Sequence, residues 1–108
     1  MTVYPDAMKC TKDEFCKALV AEGLPVNPSY RHIQCEADWF INQHVFGKTG
    51  YPWQCAEYKG PKHPKYDMPN AIFAADTNFN ISINESCGEQ ETKDIIDALN
   101  KVSEYYAK

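Results

Sequence analysis

The densest cluster of polar side chains in the sequence is formed by Tyr30, Arg31 and His32, directly after a short predicted strand. The Arg31 guanidinium can clamp a carboxylate or a phosphate through two parallel hydrogen bonds. Tyr30 and His32 can donate to an anion or a hydroxyl group. Because loops that follow strands often carry ligand contacts, these three residues are candidates for contact with an anion or a hydroxyl group. A solvated turn with a surface arginine is the alternative interpretation.

A second polar group, Asn84, Glu85 and Ser86, ends the clearest predicted strand and precedes the longest predicted helix. The end of a strand beside the N-terminus of a helix suits a ligand contact. The end of this strand is therefore a candidate position for a ligand contact. The alternative is that this segment is structural, with Ser86 serving only to cap the helix.

The sequence does not indicate a self-contained catalytic or metal site. No nucleophile stands beside a base, so no catalytic residue is predicted. The histidines lack the i, i+4 spacing that puts two metal ligands on one helix face, and no pair of cysteines has C-x-x-C spacing. The five cysteines therefore predict free thiols in a reducing, cytoplasmic setting. They are Cys10, Cys16, Cys35, Cys55 and Cys87.

Length and charge limit the classes of function. A chain of 108 residues predicts a single domain over 1–108. The net charge is −4, Arg31 is the only arginine, and the lysines are spread along the chain, which argues against a nucleic-acid partner. No apolar run approaches the roughly 20 residues that span a bilayer, so no membrane partner is expected.

Hydrophobic spacing predicts the elements that position these residues. Thr11 and Glu14 have the form of a capping box and open a predicted helix over 12–22, which Gly23 can end. Strands are predicted near 3–4, over 24–26 and, from strict alternation, over 78–84. Helices are predicted over 35–46, over 71–75 after an Asn70 cap, and from Ser86 or Gly88 to about 106. The order predicts an α+β fold, a small two-layer domain whose short, mostly antiparallel sheet carries helices on one face.

The segment over 47–69 has a different composition, with four of the seven prolines and several aromatic residues. A structureless stretch of this length is uncommon inside a compact domain unless it is functional or covered by a partner. Tyr51, Trp53 and Tyr58 can stack on a sugar, although such rings more often fill an interface or a minor core. A free-standing carbohydrate- or protein-binding module that uses this segment is therefore the alternative function.

Two long segments resemble a known family. TKDEFCKALVAEGLPVNPSYRHI resembles the "R-x-x-F-x-x-x-L-x-x-E-G-[IV]-P" opening of the C-terminal small domain of the DegT/DnrJ/EryC1/StrS aminotransferases. MPNAIFAADTNFNISINESCGEQETKDIIDALNKV resembles its closing segment, in which a "P-N-A-x-x-A" helix leads to a strand and a last helix. The resemblance covers about residues 3–106. Lys12 stands where the family often has arginine, and Asn84 where it often has histidine.

The resemblance implies the function of a parent enzyme. Members of this family are pyridoxal-phosphate enzymes that transfer an amino group to a keto sugar or cyclitol in amino-sugar, polysaccharide or antibiotic biosynthesis. The cofactor and its lysine belong to a large domain that precedes this one, and no residue here matches them. The resemblance therefore implies a chain that holds no cofactor and is inactive alone. Its implied partners are that large domain, a second copy in a homodimer and a sugar substrate. On this resemblance we expect four substrate-binding residues to face the cleft, namely Tyr30, Arg31, His32 and Asn84.

Overall fold

The protein, described by a computed structural model over residues 1–28, 32–45, 47–62 and 64–108, is a small α+β chain. Within these residues it has four α-helices and one two-stranded antiparallel sheet, which confirms the predicted class. The elements are α1 (Lys12–Ala21), β1 (Val26–Asn27), α2 (Asp38–Ile41), α3 (Pro69–Thr77), β2 (Asn80–Ile81) and α4 (Glu89–Tyr106).

The chain divides into two compact units. The first unit comprises Met1–Arg31 and Phe73–Lys108, and the second comprises His32–Ile72. The predicted substrate-binding residues fall in both units, because Asn84 belongs to the first unit and His32 to the second. A single domain over 1–108 stays a prediction.

Helix α1 begins at the predicted capping box. The Thr11 hydroxyl accepts a hydrogen bond from the Glu14 amide, and the Glu14 carboxylate accepts one from the Thr11 amide at 2.8 Å. Gly23 ends the helix with a φ of +93°, a left-handed conformation that glycine adopts without a steric penalty. The predicted helix is therefore confirmed, one residue shorter at its C-terminal end.

The core of the first unit lies between α1, α4 and the chain before β2. Phe15 and Leu19 on α1 are buried, and the Phe15 ring contacts those of Phe79 and Tyr106 at centroid distances of 5.8 and 6.3 Å. From α4, Val102 completes the cluster. Burial of these large apolar side chains is the main contribution to the stability of this unit.

The sheet is shorter than the alternation over 78–84 predicts. β1 pairs with β2 through Val26 opposite Ile81 and Asn27 opposite Asn80. Pro25 has no N–H to extend the ladder, although its carbonyl oxygen accepts from the Ser82 amide at 3.1 Å. The predicted strand near 3–4 is reduced to an isolated bridge between Thr2 and Asn78.

The second unit contains less regular structure than the sequence predicts. The helix expected over 35–46 is a 3-10 turn, Gln34–Glu36, followed by the single turn of α2. Ala37 between them is extended, and Gln43 has a φ of +54°, so the helix cannot continue through either position. Asn70 does not cap α3, because the helix already begins at Pro69, a residue that suits a first helical position.

Candidate functional site

Asn84 lies in a tight turn between β2 and α4. Its side-chain oxygen Oδ1 accepts two hydrogen bonds from Ser86, from the backbone amide at 3.0 Å and from the hydroxyl at 2.6 Å. Its backbone carbonyl oxygen accepts from the Cys87 amide at 3.1 Å. The Asn84 side chain is exposed. The structure therefore holds this predicted substrate-binding residue in one orientation at the surface.

The turn is anchored at its other end by the start of α4. Gly88 is the N-cap of the helix, and its amide donates to the Glu91 carboxylate at 3.0 Å. The Thr92 hydroxyl donates to the Gly88 carbonyl oxygen at 2.8 Å. Ser86 is therefore not the helix cap. Its hydroxyl group is committed to Asn84 instead.

The other predicted site residues are His32, Tyr30 and Arg31. His32 lies at the start of the second unit with its side chain exposed. Tyr30 and Arg31 fall outside the described residues. The structure thus describes two of the four predicted substrate-binding residues, each within its own unit, and the role of all four stays a prediction.

An apolar groove of about 480 Å³ runs along α4 in the first unit. Phe15 and Phe79 contribute to its lining from the buried core. Met1 and Ile96, which also line it, are 59% and 51% exposed. Thr2, Asn100 and Ser103 contribute polar groups to the same lining.

The thiols of the chain are unpaired. All five cysteines are free, as the sequence predicts. Burial raises the pKa of the Cys10 thiol, and the nearby Glu14 carboxylate raises it further. Burial also raises the pKa of Cys16, which keeps that thiol protonated and unreactive near neutral pH. Among the described residues no group of three or more His, Cys, Asp or Glu side chains could hold a metal ion.

The aromatic side chains of the second unit pack on one another. Phe40 contacts Trp39, Trp53 and Tyr66 at ring-centroid distances of 5.7, 5.5 and 6.1 Å, and Trp53 contacts Tyr58 at 5.6 Å. Most of these contacts are edge-on, the arrangement that aromatic pairs favour. Two of the three rings that could stack on a sugar, those of Trp53 and Tyr58, therefore contact other aromatic rings in a partly exposed cluster.

Two interactions were not predicted from the sequence. The Lys12 ammonium group donates to the Ala75 carbonyl oxygen at 2.9 Å, and Ser86 fixes the amide of Asn84. The Asn-x-Ser spacing carries a signal for the second, because asparagine side chains often accept from the backbone two residues onward. No local pattern indicates the first, since it joins residues 63 positions apart.

Comparison with known proteins gives no match to a family model, to a curated protein or to a solved structure. Of the helices in the described part of the chain, none has the length and apolar character needed to cross a bilayer.

Proposed function

We propose that this chain is the C-terminal small domain of a pyridoxal-phosphate-dependent aminotransferase that acts on keto sugars or cyclitols. It supplies one wall of the substrate cleft, and a large domain supplies the cofactor and the reactive lysine. The parent enzyme is a homodimer in the cytoplasm and makes amino sugars for polysaccharides or antibiotics. Support comes from the two sequence segments that resemble this family and from an α+β fold of suitable size.

The observation that carries the proposal is the apolar groove along α4. Met1 and Ile96 present more than half of their surface to solvent there, beside the buried rings of Phe15 and Phe79. Burial of these side chains by a docked domain would contribute about 25 cal/mol per Å² of apolar area. A large domain that docks on this groove buries it.

In this proposal the lysines of the chain do not hold the cofactor. A pyridoxal-binding lysine needs a pocket and an acidic partner for the pyridine nitrogen. Lys12 and Lys108 donate to the backbone carbonyl oxygens of Ala75 and Pro5, and Lys101 forms an ion pair with Glu22 at 2.7 Å. The other seven lysines are all exposed. One of them, Lys59, donates to the carbonyl oxygen of Ala56. The proposal assigns the cofactor to the large domain, as the resemblance implies.

A chimeric enzyme tests the proposal. The chain replaces the C-terminal domain of a keto-sugar aminotransferase of this family, and amino transfer from glutamate or glutamine is compared with that of the truncated large domain. We expect the chimera to transfer amino groups at least about tenfold faster, because a completed cleft orients both substrates. A chimera that is folded and binds pyridoxal phosphate but is no faster than the truncated enzyme would overturn the proposal.

A further inference from the structure

Another cavity of the first unit, of about 510 Å³, lies between α1 and the end of α4. The rings of Tyr105 and Tyr106 contribute to its lining, with their planes nearly perpendicular, at 85°, and their centroids 4.8 Å apart. Tyr106 packs on the buried ring of Phe15 at a centroid distance of 6.3 Å, whereas Tyr105 is 74% exposed. The two rings therefore form an aromatic corner, in which one ring is fixed by the core and the other faces solvent.

The charged side chains give this tyrosine cavity an excess of negative charge. Glu22 and Glu104 contribute carboxylates to the lining, and Lys101 contributes an ammonium group. The Lys101 ammonium group donates to both carboxylate oxygens of Glu22, at 2.8 and 2.7 Å, so these two charges offset each other. No hydrogen bond or ion pair joins Glu104 to another residue in the described part of the chain. The Glu104 carboxylate is consequently the charge that remains for a ligand.

The end of α4 also favours a cation in this cavity. The carbonyl oxygens in the last turn of a helix carry a partial negative charge, which a nearby cation stabilises. The last turn of α4 includes Glu104, Tyr105 and Tyr106 and has no basic residue. A cation bound in the cavity would therefore lie beside an aromatic corner, a carboxylate and a helix C-terminus, and all three attract positive charge.

We propose that the tyrosine cavity binds a small alkylated ammonium cation. The aromatic faces of Tyr105 and Tyr106 contact its methyl groups, and the Glu104 carboxylate balances its charge. Aromatic faces attract cations that lie within about 6 Å of the ring centroid, and a quaternary ammonium group needs no hydrogen-bond acceptors. An anion is disfavoured, because the carboxylates repel it. The inference goes beyond the proposed function and does not depend on it.

Titration of the 108-residue chain with choline, followed by NMR of the backbone amides, tests this inference. We expect the signals of residues 104–106 to shift and to saturate with a dissociation constant on the order of 1 mM, as a few cation–π and ion-pair contacts give. Dimethylbutanol, in which a carbon atom replaces the choline nitrogen, is the matched neutral ligand and should bind at least about fivefold more weakly. Sodium chloride keeps the ionic strength constant, so that screening does not itself shift the signals.

Two variants at exposed positions of α4 identify the residues that bind the cation. Tyr105→Leu removes the exposed ring and Glu104→Gln removes the carboxylate, and we expect each to raise the dissociation constant of choline about threefold to fivefold. Tyr4→Leu, at a tyrosine of the same unit that is 59% exposed, is the control and leaves it unchanged.

The proposal is overturned if choline gives no saturable shift, or if the neutral ligand binds as tightly as choline. An unchanged dissociation constant in both Tyr105→Leu and Glu104→Gln would overturn it as well. These outcomes are separate from those of the chimeric enzyme, because they are measured without amino transfer.

Discussion

The ammonium group of Lys12, in the first turn of α1, donates a hydrogen bond to the carbonyl oxygen of Ala75, in the last turn of α3. The carbonyl oxygens in the last turn of a helix have no N–H partner within the helix, so they accept hydrogen bonds from other groups. A cation at this end also complements the helix dipole. Lys12 therefore supplies the hydrogen-bond donor for a carbonyl oxygen at the C-terminal end of α3. It stands at the position where the family that the chain resembles often has arginine.

We expect Lys12→Met to lower the free energy of unfolding by about 1–2 kcal/mol, because it removes a charge-assisted hydrogen bond and leaves the Ala75 carbonyl oxygen without its donor. Methionine keeps the length and helix propensity of lysine. Urea unfolding followed by circular dichroism measures the change. Lys17→Met, at an exposed position of α1, is the matched control and should change stability by no more than about 0.5 kcal/mol. Equal losses in the two variants would contradict the role given to Lys12.

Two adjacent residues of α1 should differ sharply in their contribution to stability. Leu19 is 0% exposed in the core of the first unit, whereas Val20 is 53% exposed. We expect Leu19→Ala to lower the free energy of unfolding by about 3 kcal/mol, through lost burial and the cavity that remains. Val20→Ala should cost less than about 1 kcal/mol. Urea unfolding measures both changes, and their ratio reports which face of α1 packs against the core. A larger loss of stability for Val20→Ala than for Leu19→Ala would contradict the burial of Leu19.

The capping box should make stability depend on pH in the acidic range. Hydrogen bonds from the Thr11 backbone amide and hydroxyl lower the pKa of Glu14 below its ordinary value of 4.5. A lowered folded-state pKa contributes stability above the unfolded-state pKa, and this contribution is lost as the pH falls through the folded-state value. Glu14→Gln keeps a capping partner but does not titrate.

The measurement compares urea-unfolding midpoints of the wild type and Glu14→Gln from pH 7 to pH 3. We expect the wild type to lose its advantage over Glu14→Gln progressively as the pH falls from the ordinary value of 4.5 through the lower folded-state pKa of Glu14. A difference between the two proteins that stays constant over this range would show that the Glu14 carboxylate is not stabilised by the cap.

Tryptophan fluorescence should report the second unit selectively, because both tryptophans, Trp39 and Trp53, lie there. Phe40 contacts both rings edge-on. We expect Phe40→Leu to shift the fluorescence spectrum while the far-ultraviolet circular dichroism of the longer helices, α1 and α4, is retained. Tyr51→Leu, at a side chain that is 68% exposed, is the control and should leave both signals unchanged. Unchanged fluorescence in Phe40→Leu would contradict the aromatic packing.

Local patterns predict the first unit better than the second. Thr11 and Glu14 are three residues apart and fix the start of α1 without help from the rest of the chain. The limits of β2 depend on its partner, and β1 is short, so alternation at Phe79, Ile81 and Ile83 overestimates the strand. Ile83 is consequently 65% exposed.

In the second unit, hydrophobic residues over 35–46 suit a helix, but their aromatic side chains pack in a cluster that the backbone follows instead. Phe40 must reach Trp53 and Tyr66, which lie far along the chain. Such contacts have no local signature, and they override helix propensity where only a single turn, α2, remains. For the candidate site, residue type and position at a strand end single out Asn84, whose role stays a prediction, whereas its orientation depends on the turn geometry with Ser86.

The most direct test of the proposed small-domain role is amino transfer restored in trans. The large domain of a keto-sugar aminotransferase, produced without its C-terminal domain, is titrated with this 108-residue chain, and transfer from glutamate or glutamine to the keto sugar is measured. We expect the rate to rise with the concentration of the chain and to saturate, with Ile96→Lys requiring a higher concentration because it places a charge in the apolar groove. A rate that stays at the level of the large domain alone, with the chain folded by circular dichroism, would contradict the proposed role.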